Sequence, residues 1–173
     1  MDLTEAIKGR RSIRKFKKQD ITDEIVMQLI EAASFAPSAG NIQPWQFVIV
    51  RDPVVKEKLV EASFDQVQVE QASVVIVVCA VNEQAATRYG LRGKTLYCLQ
   101  DTAAATQNIL LTAHSMGLGT CWIGAFSESK AKKAINAPES IRPVALIPVG
   151  YPDVIPRQRN RKPLNEIIHY DNF

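Results

Sequence analysis

The chain has 173 residues and a formal net charge of +3; 46% of its residues are hydrophobic and 23% are charged. These values are typical of one folded domain and exclude disordered and fibrous proteins. No apolar run approaches the roughly 20 residues of a membrane-spanning helix, and the N-terminus lacks the apolar core of a signal peptide. The 3 cysteines and 2 histidines are widely separated, which favours neither a disulfide framework nor a metal site. We therefore expect a cytoplasmic protein without a metal or a membrane partner.

Hydrophobic periodicity and capping residues predict helices that alternate irregularly with short apolar strands. The middle of the longest helix is dominated by alanine and threonine, which favours close packing of another helix. Helices around one sheet predict an α+β or α/β fold. The predicted elements, in chain order, are a helix at Asp2–Lys8, a helix from the N-cap Thr22 to a point before Pro37, a strand at Gln46–Val50, a helix from Asp52–Pro53, a strand at Val74–Val81, a helix at Thr95–Met116, a strand at Thr120–Ile123, a helix at Ser127–Ile135 and a strand at Pro143–Val149.

The last segment, Gly150–Phe173, contains three prolines and almost no hydrophobic periodicity. This pattern predicts an extended arm at the end of a single domain that spans residues 1–173. A tail of this length needs a surface to pack on, and a second subunit is one candidate.

The basic residues are concentrated in two short segments. Lys8–Lys18 holds seven of them and Arg157–Lys162 holds four, which leaves 10 of the 21 basic residues against all 18 acidic ones on the rest of the chain. Arginine guanidinium groups suit phosphate and carboxylate oxygens. A solvated basic face and a nucleic-acid patch are the alternatives. The interleaved Ile13 and Phe16 favour a packed segment, and an acidic body repels a nucleic-acid duplex.

A loop of defined shape follows the second predicted helix, at Ala36–Trp45. Proline, glycine, serine and asparagine favour a fixed turn with exposed backbone donors. A plain helix-to-strand connection explains Pro44 and Trp45 equally well. It explains the polar side chains of Ser38, Asn41 and Gln43 less well.

Small residues also follow the third predicted strand, within Gly117–Phe126. Gly124 and Ala125 lie where a strand ends and a helix begins, so a ligand can approach their backbone N–H groups. The segment matches neither the dinucleotide-binding nor the P-loop glycine pattern. Taken alone, the segment is better explained as a tight turn.

The isolated nucleophiles carry little functional signal. Cys79 lies in a continuous apolar strand and is predicted to be an inert core residue. His114 is predicted to lie on the surface of the long helix.

Taken in order, these segments resemble the FMN-dependent nitroreductase family, and the resemblance covers essentially the whole chain. It implies an α+β, three-layer fold with a central mixed, mainly antiparallel sheet flanked by helices. It also implies a homodimer whose C-terminal arm, residues 150–173, is exchanged with the partner subunit. The motifs that carry the resemblance are R-R-S-x-R at Arg10–Arg14, P-S-A-G-N-x-Q-P-W at Pro37–Trp45, G-L-G-T-C-W-I-G-A-F at Gly117–Phe126, P-V-G-Y-P at Pro148–Pro152 and R-x-R-x-P at Arg159–Pro163.

The resemblance implies two FMN sites at the dimer interface, with NADH or NADPH as electron donor. No residue is expected to act as a catalytic acid or base, because the cofactor carries the chemistry. The residues expected to bind FMN are Arg10, Arg159 and Arg161 at the phosphate, Arg11 and Ser12 at the ribityl chain and pyrimidine edge, Arg14 at N1 and O2, Pro37, Ser38, Ala39 and Asn41 from the other subunit, Gln66 at the pyrimidine ring, and Ile123, Gly124 and Ala125 near N5 and O4.

The implied activity is hydride transfer from NAD(P)H through FMN to a nitroaromatic, a quinone or a similar flat acceptor, by a ping-pong mechanism. Flavin-ring cleavage and reductive dehalogenation on the same scaffold are alternatives, as are a flavin-binding protein without turnover and a nucleic-acid-binding protein. Two positions depart from the family pattern. Ser73 stands where relatives usually have proline, and Gly124 where some have an acidic residue. No aromatic lid segment is recognisable in the sequence.

Overall fold

The computed structural model describes residues 1–173 as one sheet with helices on both of its faces. None of the helices is long and apolar enough to cross a membrane. The helices are α1 (Leu3–Gly9), α2 (Asp23–Ser34), α3 (Pro53–Ala62), α4 (Gln68–Gln71), α5 (Asn82–Arg92), α6 (Cys98–Ser115) and α7 (Glu128–Ala134), and the strands are β1 (Trp45–Val50), β2 (Val74–Ala80), β3 (Gly119–Thr120) and β4 (Arg142–Gly150).

The sheet has the strand order β1-β2-β4-β3, and every pair of neighbouring strands is antiparallel. A single parallel bridge joins Ser12 to Thr120 at the β3 edge. The expected α+β fold, with its mainly antiparallel sheet between helices, is therefore confirmed.

Strand β2 explains the three layers, because all of its residues are buried. Successive side chains of a strand point to opposite faces. Val74, Ile76 and Val78 pack in the core that α2 and α6 cover, whereas Val75 and Val77 pack in the core that α3 and α7 cover. A strand covered on both faces has no polar side to expose, which accounts for its continuous apolar sequence.

Every predicted element is present, with shifted ends. The third predicted strand shortens to Gly119–Thr120, and Ile123 contributes only an isolated bridge to Leu146. The helices α4 and α5 were not predicted. A π-helical turn at Gly93–Tyr97, also unpredicted, joins α5 to α6.

The N-terminal basic segment is held against β3 and the start of the arm by backbone hydrogen bonds. Ile13 N–H donates to the Thr120 carbonyl at 2.8 Å, and Lys17 N–H donates to the Tyr151 carbonyl at 2.9 Å. Asp153 N–H in turn donates to the Lys15 carbonyl at 3.0 Å. These bonds fix the segment in place, so its charges do not belong to a loose tail.

Beyond this anchor, every residue of the segment 153–173 is exposed. Its only regular element is a short 3₁₀ turn at Leu164–Glu166, which buries nothing. The tail is thus extended and packs on little of its own chain. Its exchange with a second subunit stays a prediction.

Gly119 provides the close contact that seats the basic segment, and its replacement by alanine tests this packing. A Cβ at Gly119 would lie 2.7–2.9 Å from three side-chain carbons of buried Ile13. We expect Gly119→Ala to lower the free energy of unfolding by about 1–3 kcal/mol, as overpacking of a core does. Urea denaturation of the apoprotein measures the change.

Gly124→Ala is the matched control, because the nearest atom to a Cβ at that position lies 3.9 Å away. Its effect should stay within about 0.5 kcal/mol. Equal destabilisation by the two variants would contradict the packing argument.

Candidate functional site

The two basic segments meet in one cavity of about 280 Å³. The structure thereby brings together the four predicted residues of the N-terminal motif and the two predicted arginines of the arm. No acidic residue lines the cavity. The lining residues are Arg10, Arg11, Ser12, Arg14, Pro156, Arg157, Gln158, Arg159 and Arg161.

The six arginines of this cavity form no ion pair within the chain, since all five salt bridges of the protein lie elsewhere. Burial and then the charges of Arg161 and Arg11 lower the pKa of half-buried Arg10. An anion bound among these like charges would offset their repulsion. The donor set, guanidinium groups with the Ser12 hydroxyl, fits a phosphate monoester.

Arg11 has a second contact besides lining the cavity. Its Nη1 donates to the carbonyls of Lys8, Gly9 and Arg10 at 2.6, 2.7 and 2.9 Å. These are the last carbonyls of α1 and its cap, which a cation satisfies well. Arg11 thus fixes the helix end that presents Arg10, and its predicted contact with FMN stays a prediction.

His114 lies behind this cluster and not on an open helix surface, so its predicted placement was wrong. It is half-buried, and its Nε2 lies against Gly9, where an added Cβ would come within 2.6 Å. Burial lowers the pKa of His114, and the charges of Arg11 and Arg10 lower it further. The half-buried imidazole thus lies beside Arg10 and Arg11 and favours its neutral form.

The cysteines are buried thiols. Burial raises the pKa of Cys79 to about 12, which agrees with its predicted role as an inert core residue. Burial also raises the pKa of Cys121, although the charges of Arg14 and then Arg10 act in the opposite direction. Arg14 follows Ile13, whose N–H bonds to the Thr120 carbonyl, so it lies beside the chain that leads from β3 to Ile123.

A second cluster joins Gln66 to the turn after β3. Gln66 Nε2 donates to the Ala125 carbonyl at 3.1 Å and to the Ser63 carbonyl at 3.0 Å, and its Oε1 accepts from Gln68 Nε2 at 3.0 Å. Two predicted ligands that are distant in sequence are thus neighbours in space. The backbone N–H groups of Gly124 and Ala125 have no acceptor within the chain and are available to a ligand.

The predicted loop at Pro37–Asn41 has a fixed shape but does not line the basic cavity. Ser38 Oγ accepts from the backbone N–H of Gln43 at 2.9 Å. In the turn between them, φ is +57° at Gly40 and +56° at Asn41. The sequence analysis expected this loop to reach FMN from the other subunit. Its separation from the cavity of its own chain agrees with that expectation, which stays a prediction.

Sequence reasoning missed Asp101, which holds this loop from α6. Its side chain is 7% exposed, and its Oδ1 accepts from Ala39 N–H at 3.1 Å. Its Oδ2 is buried without any partner. Burial raises the pKa of this carboxyl, although the Ala39 bond lowers it. The available signal was an acid in line with the buried stripe Ala105, Ile109 and Ala113.

An aromatic segment that the sequence analysis did not recognise lies beside the same loop. Tyr89 and Tyr97 stack edge to face with ring centroids 5.2 Å apart, and Arg92 Nε donates to the Tyr97 hydroxyl at 2.9 Å. Arg88 lies over the Tyr89 ring and donates to the Gly40 carbonyl at 3.4 Å. Tyr89 therefore lies beside the loop at Gly40, and the expected absence of an aromatic lid stays a prediction.

Comparison with known proteins identifies the family. A model described as the nitroreductase family matches residues 7–89 and 68–151. The chain belongs to the nitroreductase family. A protein of Methanothermobacter thermautotrophicus, assigned as an NADH dehydrogenase/NAD(P)H nitroreductase, is 37% identical to this nitroreductase-family chain over 92% of it and 82% of the relative. The NADH dehydrogenase of Thermus thermophilus is 30% identical over 97% and 95% of the two chains.

Solved structures of the family have the same fold. The NADPH:FMN oxidoreductase from Vibrio harveyi, solved in complex with NAD+, matches 98% of this nitroreductase-family chain with 77% of its own. The TM-score is 0.90 at 30% sequence identity. The family resemblance drawn from the ordered motifs is therefore confirmed.

The buried imidazole of His114 should make stability pH-dependent. Its pKa is lowered in the folded protein, so the folded state binds fewer protons than the unfolded state. We expect the free energy of unfolding to decline as the pH falls below about 6.5, the ordinary histidine pKa. His114→Gln should remove that part of the decline, which denaturation at a series of pH values measures.

The matched control is His169→Gln, which alters an exposed histidine of the arm. This variant should keep the pH dependence of the parent protein. A decline of equal size in His114→Gln and in the parent would show that other groups cause it.

Proposed function

We propose that the chain is an NAD(P)H-dependent flavin oxidoreductase that binds FMN with its phosphate between the two basic segments. The observation that carries this proposal is the cavity lined by six arginines that have no internal counterion. A phosphate monoester brings nearly two negative charges and several acceptor oxygens. Arg10, Arg159 and Arg161 would hold it through charge-assisted hydrogen bonds.

The other predicted ligands would orient the rest of the cofactor. Arg11 and Ser12 line the same cavity and would hold the ribityl chain and the pyrimidine edge. The free N–H groups of Gly124 and Ala125 would donate to N5 and O4, next to the bridge at Ile123. Gln66 would read the pyrimidine ring from its place against the same turn.

Arg14 would set the electronic properties of the site. It lines the cavity and lies near Cys121, on the side that leads to the Gly124–Ala125 turn. A fixed cation stabilises negative charge that develops nearby. Arg14 would therefore favour the reduced ring.

We propose a homodimer with FMN at the interface, in which residues 150–173 of each subunit wrap the other. The exposed apolar side chains of the arm support this arrangement, since Ile155, Leu164 and Tyr170 contact little of their own chain. The separation of the Pro37–Asn41 loop from the basic cavity supports it as well. The loop of one subunit would complete the site of its partner, within a single domain of residues 1–173.

Bound FMN supplies hydride acceptance from NAD(P)H and hydride delivery to a nitroaromatic, a quinone or another flat acceptor. The chain positions these substrates in turn, which gives a ping-pong mechanism. No residue of the chain is assigned as an acid or base, and protons would come from solvent. The printed names of the relatives, among them NADPH-flavin oxidoreductase in Vibrio harveyi and FMN reductase (NADPH) in Bacillus subtilis, support the same activity class.

FMN affinity tests the phosphate site. The protein should bind FMN and turn yellow, and Arg161→Gln should weaken binding by about 1.5–3 kcal/mol, or about 10- to 150-fold, because a desolvated phosphate loses a charged donor. Fluorescence titration of the apoprotein measures both. Lys162→Gln is the control, because Lys162 does not line the cavity. The FMN affinity of this variant should equal that of the parent protein.

Two results would contradict the proposal. One is a protein that fails to bind FMN at all. The other is an equal loss of affinity in Arg161→Gln and Lys162→Gln, which would indicate a diffuse charge effect.

Steady-state rates with NAD(P)H and an acceptor should also give parallel double-reciprocal lines, and intersecting lines would exclude the ping-pong mechanism.

The flavin reduction potential tests Arg14. Removing a cation worth about 1.4 kcal/mol to the reduced ring lowers a two-electron potential by about 30 mV. Arg14→Gln should show a shift of this size with FMN affinity largely kept, measured by dye-coupled titration. Lys15→Gln removes the same charge next to it but outside the cavity, and should leave the potential in place. An unshifted potential in Arg14→Gln would remove Arg14 from the flavin edge.

A further inference from the structure

We infer that Asp101 is a positioning residue, which fixes the loop Ser38–Asn41 in the conformation that contacts the flavin. The inference rests on the proposed function, because that proposal places this loop at the FMN of the partner subunit. It adds a residue that the family motifs do not mark and that belongs to a different element, the buried helix α6.

The contact is specific to one backbone group. Asp101 Oδ1 accepts from the N–H of Ala39, the first residue of the 3₁₀ turn Ala39–Asn41. Ser38 precedes this turn but does not cap it, because its hydroxyl accepts from the backbone N–H of Gln43 instead. The orphan N–H at the start of the turn is therefore satisfied from α6.

The burial of Asp101 is costly, which argues for a role other than packing. A buried carboxyl loses its hydration, and one neutral hydrogen bond offsets only part of that loss. Its Oδ2 has no partner at all. The next positions on the same face of α6, Ala105 and Ile109, are apolar and pack without this cost. The Asp101 carboxyl differs from these neighbours because it accepts the hydrogen bond of Ala39 N–H.

The turn that Asp101 holds is strained and needs a fixed start. Gly40, Asn41 and Gln43 all have positive φ, and the last two lack the freedom of glycine. Further bonds come from α5, where Gln84 Nε2 donates to the Ile42 carbonyl at 3.0 Å. Without the Asp101 contact, the Ser38–Ala39 end would be free to sample other conformations. Cofactor binding would then have to order it again, which weakens affinity.

Three variants of α6 test this role in the full-length protein. Asp101→Leu removes the acceptor at similar volume and should weaken FMN binding about tenfold. Asp101→Asn keeps a carbonyl acceptor for Ala39 N–H and should stay within about twofold of the parent. Thr102→Val is the control, because the buried Thr102 hydroxyl bonds only to the Cys98 and Leu99 carbonyls of its own helix. It should lower stability without changing FMN affinity.

The second readout is hydrogen exchange at the Ala39 amide, measured by NMR on the apoprotein. The amide should be protected in the parent, Asp101→Asn and Thr102→Val proteins, and should exchange faster in Asp101→Leu. A merely structural role for Asp101 would instead make FMN affinity follow the free energy of unfolding across all three variants.

The outcomes separate this inference from the proposed function. A parent protein that binds no FMN overturns the proposed function. A parent that binds FMN while Asp101→Leu binds it equally well overturns the role of Asp101. If Asp101→Leu does not fold, the parent and Asp101→Asn still decide. An unprotected Ala39 amide in the folded parent, or an affinity loss in Asp101→Asn as large as tenfold, overturns the inference.

Discussion

The concentration of six arginines in one cavity is the constraint on which the candidate site depends most. Their side chains come from Arg10–Arg14 and Arg157–Arg161, at opposite ends of the chain, and no acid stands among them. Backbone bonds hold the charges together, since Ile13 is bonded to Thr120 and Asp153 to Lys15. The two packed cores on either side of β2 support this arrangement. The two apolar cores thus hold together arginine charges that a bound anion would neutralise.

The functional groups of one chain fall into two places that do not meet. The basic cavity and the Gln66–Ala125 cluster lie at the β3 side of the sheet, whereas the Ser38–Asn41 loop lies against α5 and α6. An FMN in the basic cavity could contact the Ser38–Asn41 loop only if a second copy of the chain supplied that loop. The exposed arm gives such a copy something to bind, so the charge cluster and the exposed tail have one explanation.

Periodicity and capping predicted most of the fold, and the motifs predicted six of the residues that line the basic cavity. Strand β2 was recognisable because both of its faces are covered, and α2 because Thr22 caps an amphipathic pattern. Helix α5 was missed because it is mostly polar, buries only Ala85 and carries a kink at Gly90. Asp101 was missed because an acid in a helix is usually read as a surface residue. Its burial depends on how α6 packs against a distant loop, which no local pattern records.

The small net charge of the chain does not reveal the arginine-lined cavity, which is the feature that matters for ligand selection. A value of +3 for the whole chain is consistent with almost any partner, whereas the arginine cavity is strongly positive and the remaining surface carries an acidic excess. A field of this shape attracts a small dianion into the cavity and repels an extended polyanion from the body around it. If FMN binds as proposed, Arg14 would act on the reduced ring from a cavity that no carboxylate lines. One distribution of charge would then account for both the binding selectivity and the tuning of the cofactor.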